Sequence, residues 1–257
     1  MPARPVGIVV AVREEFGAIV RRLSPSTRSE AGDDSVAIGR IGPREAVVVR
    51  AGMGAERAEA AVHRVVLRDG AAQVVIAGFC AGLAAGLSPG DLVVATRVES
   101  RTTRSIWIPH AGAGSSGMAL RADVRLHAGP ILTAEDMAPR PEAKRALAAQ
   151  HPEALALDME TAGAARAASE LRIPWIAVRA VTDGLHDPFP FDFARFEDPR
   201  TGDIRRSAVV AAALSRPWLV PALIRLGLRS ARAARNLADF VEHYVSSLAA
   251  PSAPRPS

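Results

Sequence analysis

Uncharged apolar runs of strand length alternate along this chain with stretches of helical period, and that alternation narrows the folds open to it. Residues 6–12, Val6-Gly7-Ile8-Val9-Val10-Ala11-Val12, read as a buried strand, and 14–23 as the helix that follows. Residues 35–41 and 45–51 read as two strands joined at Gly42-Pro43, a turn signal. Gly52-Met53-Gly54 then opens a helix over 55–68. Strands are expected at 73–77, 91–98, 127–132, 154–157 and 175–181, and helices at 138–150, 161–171 and from 207–213. This order predicts a three-layer α/β/α fold with a central mixed sheet. Residues 1–248 are expected to form one domain, with 215–248 a basic helical extension and 249–257 a Pro/Ser/Ala-rich disordered tail. Residues 112–117 read as a flexible Gly/Ser loop, and 187–201, with Pro188, Pro190 and Pro199, as a structured loop or lid.

Composition excludes several classes of protein. With 257 residues, 49% of them apolar, the chain can bury a sizeable core, but aromatics are only 4%, so Ala, Val, Leu and Ile must fill it. One cysteine, Cys80, rules out an intramolecular disulfide framework and suits a reducing, cytoplasmic setting. No signal peptide is expected, since the first apolar run is too short for one and lacks a clear cleavage site, and no stretch of eighteen uncharged apolar residues is present. The net charge is +5, and Lys144 is the only lysine among 32 basic residues. The arginines are spread along the chain without interleaved aromatics, which reads as a solvated surface and not as a nucleic-acid footprint.

Three acidic positions stand where chemistry is commonly built in α/β folds. Leu157-Asp158-Met159-Glu160-Thr161 puts carboxylates at the mouth of a helix, and Val178-Arg179-Ala180-Val181-Thr182-Asp183 ends the next strand on another. Glu15 follows the first strand. Carboxylates at strand and helix ends suit acid/base work on a polar substrate, and the expectation is that Glu15, Glu160 and Asp183 converge. Each also has an ordinary role. Asp158 could cap a helix, Glu160 and the Glu14-Glu15 pair could serve first turns, and Asp183 could form a turn before Gly184. Gly52 and Gly54 form a strand-to-helix turn that exposes backbone N–H groups, and Gly78-Phe79-Cys80-Ala81-Gly82-Leu83 reads as a second strand-end turn. Cys80 reads as a small buried residue, because the six histidines form no spaced set that would serve a nucleophile or a metal.

Together these segments resemble the nucleoside phosphorylase/nucleosidase superfamily. The resemblance rests on Gly7 to Glu15, on Ala51-Gly52-Met53-Gly54, on Gly78 to Leu83 with Pro89-Gly90-Asp91-Leu92-Val93-Val94, and on Asp158-Met159-Glu160 with Val178 to Asp183. It implies cleavage of an N-glycosidic bond with no metal or redox cofactor, and phosphate or water as the acceptor. By resemblance, Asp183 would protonate the departing purine. Glu160 would hold the ribose hydroxyls with Met159 against the sugar, Glu15 would position water, and Gly52, Gly54, Gly78, Phe79, Cys80 and Asp158 would line the substrate. The partners implied are a small nucleoside and further copies of the chain, as a homodimer or higher oligomer.

Three departures stand out. Phe79 replaces a serine or threonine, Ala81-Gly82 replaces Gly-Gly, and Val75-Ile76-Ala77 lacks the arginine with which phosphorylases hold phosphate, leaving Arg50 and Arg57 as substitutes. The Trp-containing, Arg-studded C-terminal segment resembles the hopanoid-associated branch, which implies a lipid-tailed adenosine and peripheral membrane contact, although a helix packing on its own domain or across a dimer interface is the commoner use of such a segment. A non-catalytic nucleoside binder is the alternative.

Overall fold

A computed structural model describes residues 4–31, 34–110, 121–135, 140–187 and 215–248, with the single positions 196, 198, 205 and 209. The expected loop at 112–117 and tail at 249–257 lie outside the described residues, as do all but isolated positions of the lid at 187–201 and the helix at 207–213. The elements run β1 (Val6–Val10), α1 (Arg13–Val20), β2 (Ser26–Ala31), β3 (Asp34–Ile41), β4 (Arg44–Arg50) and α2 (Ala55–His63). There follow β5 (Gln73–Gly82), β6 (Leu92–Ser100), β7 (Ile106–Trp107), β8 (Leu126–Thr133), α3 (Pro141–Gln150), β9 (Ala156–Asp158), α4 (Thr161–Glu170), β10 (Trp175–Asp183) and α5 (Val220–Ser247).

The strands make one mixed sheet in the order β10-β6-β8-β9-β5-β1-β4-β3-β2, with β7 beside β6. β5 also pairs with β10, so β5, β10, β6, β8 and β9 close into a ring, from which β1, β4, β3 and β2 extend as an open wing. β1 lies parallel to both β4 and β5, and β5 parallel to β10, which brings their carboxyl ends to one side. That side is where open α/β sheets place their ligands.

Apolar clusters lie on both faces of the sheet. One packs α2 and α4 against it, largely through alanines such as Ala58, Ala61, Ala164, Ala165 and Ala168. The other packs α1 and the second half of α5, through Leu237, Phe240, Val241 and Val245. Small side chains let the helices come close: a Cβ on Gly163 of α4 would lie 2.0 Å from the Ala55 carbonyl at the start of α2.

Three local expectations are corrected. The Gly78 segment is not a turn: β5 runs to Gly82, because it finds strand partners in β10 as far as Ala81 and then in β9. β2, sequence Ser-Thr-Arg-Ser-Glu-Ala, has no apolar alternation to announce it and forms as an edge strand hydrogen-bonded to β3. The helix expected over 55–68 turns π-helical from Arg64 to Arg68.

Candidate active site

A single guanidinium organises the carboxyl ends of these strands. Arg179 sits mid-strand in β10, opposite Gly78 of β5, and is 1% exposed. Its Nη2 lies 2.6 Å from Asp158 Oδ2 and its Nη1 3.4 Å from Glu160 Oε2. Its Nε donates to Thr161 Oγ1 at 2.8 Å and its Nη1 to the Phe79 carbonyl at 3.4 Å. Gly78 makes this possible: a Cβ there would stand 2.0 Å from Arg179 Nη1 and 3.3 Å from Glu15 Oε1. Such an approach explains glycine at this position without any turn.

β9 brings in the second acid. It runs antiparallel to β5 with Leu157 opposite Ala81 and ends at Asp158, and Glu160 follows two residues on, in the bend before α4. Glu160 occupies the N-cap position of α4, and its Oε1 accepts a hydrogen bond from Gly54 N at 3.2 Å, tying it to the loop after β4. Asp158 takes the structural part. It accepts from Thr133 Oγ1 at 2.6 Å, from Thr161 N at 3.1 Å and from the Thr161 hydroxyl. Burial pushes Glu160 up to about 7, against the pull of Arg179, with Asp158 and Glu15 adding to the rise.

Glu15 comes from the first turn of α1 but points inward and is 2% exposed, whereas Glu14 beside it is exposed. It accepts three backbone hydrogen bonds, from Ala11 N at 2.8 Å, Val12 N at 3.0 Å and Phe79 N at 2.7 Å. Burial raises its pKa, with these N–H groups and Arg179 opposing. A small cavity opens beside Glu160 and Arg179, between Val10, Ala11, Ala51 and Ala58.

Asp183 stands four residues beyond Arg179 at the end of β10, on the order of 10 Å along the strand. Its Oδ2 lies 2.7 Å from Lys144 Nζ and its Oδ1 2.8 Å from Thr182 Oγ1. The Thr182 hydroxyl is also 3.2 Å from the Cys80 carbonyl. It has one proton: given to that carbonyl, the hydroxyl is free to accept from a protonated Asp183. Burial raises the Asp183 pKa, with the Lys144 ammonium opposing.

Of the residues singled out from sequence, Glu15, Glu160 and Asp158 therefore meet at Arg179, with Gly54, Gly78 and the Phe79 backbone in the same shell. Gly52 donates to the Ala11 carbonyl at 3.0 Å, and Met159 is half-buried beside Glu160. Cys80 keeps its thiol in the core, where burial holds its pKa well above the usual value. Arg50 donates to Ser35 Oγ at 2.9 Å and Arg57 to the Met53 carbonyl at 3.2 Å. Sequence reasoning gave no part to Arg179 or Lys144. The first was signalled by a charge inside an apolar strand, the second by being the chain's one lysine.

The sequence signature described as "Phosphorylase superfamily" matches residues 5–215. The 5′-methylthioadenosine/S-adenosylhomocysteine nucleosidase of Shewanella denitrificans is 23% identical over 206 residues, covering 73% of this chain and 90% of that protein. The nucleosidase of the same description from Shewanella pealeana is 23% identical over 210 residues, 74% and 91% of the two chains. Among solved structures, the nucleosidase of Colwellia psychrerythraea in complex with adenine superposes with a TM-score of 0.73 at 20% identity, covering 95% of both chains. That of Neisseria meningitidis in complex with methylthio-immucillin-A gives 0.68 at 19% identity, covering 96% of this chain and all of the other.

Proposed function

This chain belongs to the phosphorylase superfamily, and we propose from that premise that it cleaves the N-glycosidic bond of a purine nucleoside, with water as the acceptor. The observation that carries the reading is the spacing of its acids. Glu15 and Glu160 gather at Arg179, and Asp183 stands on the order of 10 Å away along one strand, a separation that suits a nucleoside lying from its ribose hydroxyls to the far edge of its base.

In this reading Glu160, held by Gly54 N and Arg179, accepts hydrogen bonds from the ribose hydroxyls, with Met159 against the sugar. Glu15, fixed by three backbone donors, orients the attacking water. As the bond to the base breaks, the sugar becomes oxocarbenium-like, and the two carboxylates stabilise the developing positive charge in a site from which most water is excluded. Asp183, its pKa raised by burial, gives a proton to the leaving base. Water is favoured over phosphate because β5 offers no arginine before Gly78 and because Arg50 and Arg57 already have protein partners. The nucleosidase relatives agree with that preference.

The test is adenine release from adenosine, methylthioadenosine and adenosylhopane, each with and without phosphate. Release independent of phosphate is expected. Release only with phosphate, yielding a sugar 1-phosphate, would replace hydrolysis with phosphorolysis. Thermal stabilisation by nucleosides with no free base would make the protein a binder.

One observation favours a lipid-tailed nucleoside over a soluble one. The first half of α5 shows solvent an apolar stripe, Ile224 and Leu228 at 58% and 67% exposure, with Trp218 at 71% just before the helix. Arg229 of the same half pairs with Asp187, four residues past Asp183, which ties this half of the helix to the turn behind the site. Release from adenosylhopane that exceeds release from methylthioadenosine, together with flotation of the protein on anionic vesicles, would support this substrate. The reverse preference without flotation would leave the soluble one.

A further inference from the structure

The only lysine of this chain is fully buried and points at the acid assigned to the departing base. Lys144, on α3, is 0% exposed. Its ammonium lies 2.7 Å from Asp183 Oδ2, 2.6 Å from the Gly184 carbonyl and 2.6 Å from the Asp187 carbonyl, so all three of its N–H donors are used within one five-residue turn. The same turn is closed by the Asp187 carboxylate, which accepts from Gly184 N at 3.0 Å and pairs with Arg229 of α5 at 3.1 Å.

We propose that Lys144 is a positioning residue for Asp183, fixing by charge and geometry which carboxyl oxygen faces the leaving base and over what pH range it still carries the proton. The proposal rests on the reading of Asp183 as general acid. Lys144 occupies Oδ2, which leaves Oδ1, whose proton the Thr182 hydroxyl can hold until the base takes it, as the oxygen that can serve the base. It also draws two carbonyls of the following turn onto the same ammonium, so the acid and the turn behind it move as one piece. A buried ammonium on a buried carboxylate is a costly arrangement to keep for packing alone, since apolar residues of similar volume in place of the pair would fill the space with no charge to satisfy.

The electrostatic part has a definite sign. Among the described residues, the charged and titratable groups around Asp183 include Lys144 from α3, Asp187 from the turn with Arg229 of α5 upon it, and the Cys80 thiol from β5. Lys144 is, among the described residues, the one cation in direct contact, and it pulls the Asp183 pKa down against burial. A general acid must be protonated to act, so activity is lost as pH rises through its pKa. Removing the cation moves that alkaline limb to higher pH.

The experiment is the pH profile of kcat/KM for adenine release from methylthioadenosine by wild type, Lys144→Gln, Lys144→Arg and Asp183→Asn. In Lys144→Gln the alkaline limb should move up by roughly one to three pH units, the usual effect of an opposite charge in contact, while the plateau falls. In Lys144→Arg the charge is kept, so the limb should stay at its wild-type position while kcat drops roughly tenfold from misplacement of Asp183. Lys144→Arg decides the matter even if Lys144→Gln does not fold. A limb that stays at the wild-type pH in Lys144→Gln, or that moves in Lys144→Arg, would overturn the proposal and leave Lys144 a tether of the turn. Near wild-type turnover by Asp183→Asn, or no release by the wild type, would overturn the reading of Asp183 itself and the role of Lys144 with it.

Discussion

Glu160 is held in a state that costs the folded protein stability and that a substrate would relieve. Its pKa rises from the usual 4.5 to about 7 because burial strips water from the carboxylate faster than Arg179 replaces it. Between those two values the folded protein keeps a proton that the unfolded chain has released. Stability therefore declines as pH rises through this window, and the full penalty is present above about pH 7. Glu160→Gln removes the charge while Asp158 continues to pair Arg179. It should make the protein more stable than wild type at pH 8, by up to about 3 kcal/mol, with the difference closing towards pH 5. Urea unfolding at the two pH values measures it, and an equal difference at both would refute the assignment. Asp183→Asn should retain the fold, since its amide oxygen still accepts from Lys144, but lose roughly a hundredfold or more of turnover. Circular dichroism alongside a base-release assay separates the two effects. At this scale the acids were legible and their organiser was not. Glu15, Glu160 and Asp183 announce themselves as carboxylates at the ends of apolar runs. The run from Trp175 to Asp183, by contrast, hides a buried guanidinium whose partners arrive from two other segments. Lys144 lies 39 residues from Asp183 in sequence, on a helix whose period gives no hint of what its one cation faces.

Helices and strands divide in the same way. The two halves of α5 differ in what they pack against. Ala233, Leu237, Phe240 and Val241 seal one face of the sheet against α1, whereas Ile224 and Leu228 do not pack inward. Phe240→Ala should cost about 3–5 kcal/mol, and Leu228→Ala less than about 0.5 kcal/mol, both read from denaturant midpoints. Equal effects would mean that the two halves do not differ in this way. In Gly163→Ala, a Cβ 2.0 Å from the Ala55 carbonyl must push α4 away from α2. Because Gly54 N and Glu160 bridge those two helix starts, KM should rise well before the fold is lost, and an unchanged KM would show that this bridge plays no part in binding. Strand boundaries went wrong where the partner, and not the sequence, decides them. β5 continues through two glycines because neighbours on both sides supply its hydrogen bonds, and polar β2 forms because β3 offers it an edge.

For the molecule as a whole, the alternation of strands and helices was enough to foresee a layered mixed sheet, because hydrophobic period fixes layers. It could not foresee that five strands would close on themselves, since closure depends on β9, three residues long, meeting β5 and β8 at once. That closure has a consequence for how the protein breathes. A strand in the ring has no open flank from which its ladder can peel, whereas β2 at the far end of the wing has one. Amide protons of β5 and β10 should therefore exchange with deuterium only through global opening, while those of β2 and β3 exchange through cheap local fraying. Arg179 and Asp183 lie on the slowest-exchanging strand of this scheme, so the two ends of the site would keep their separation while the rim of the sheet opens and closes.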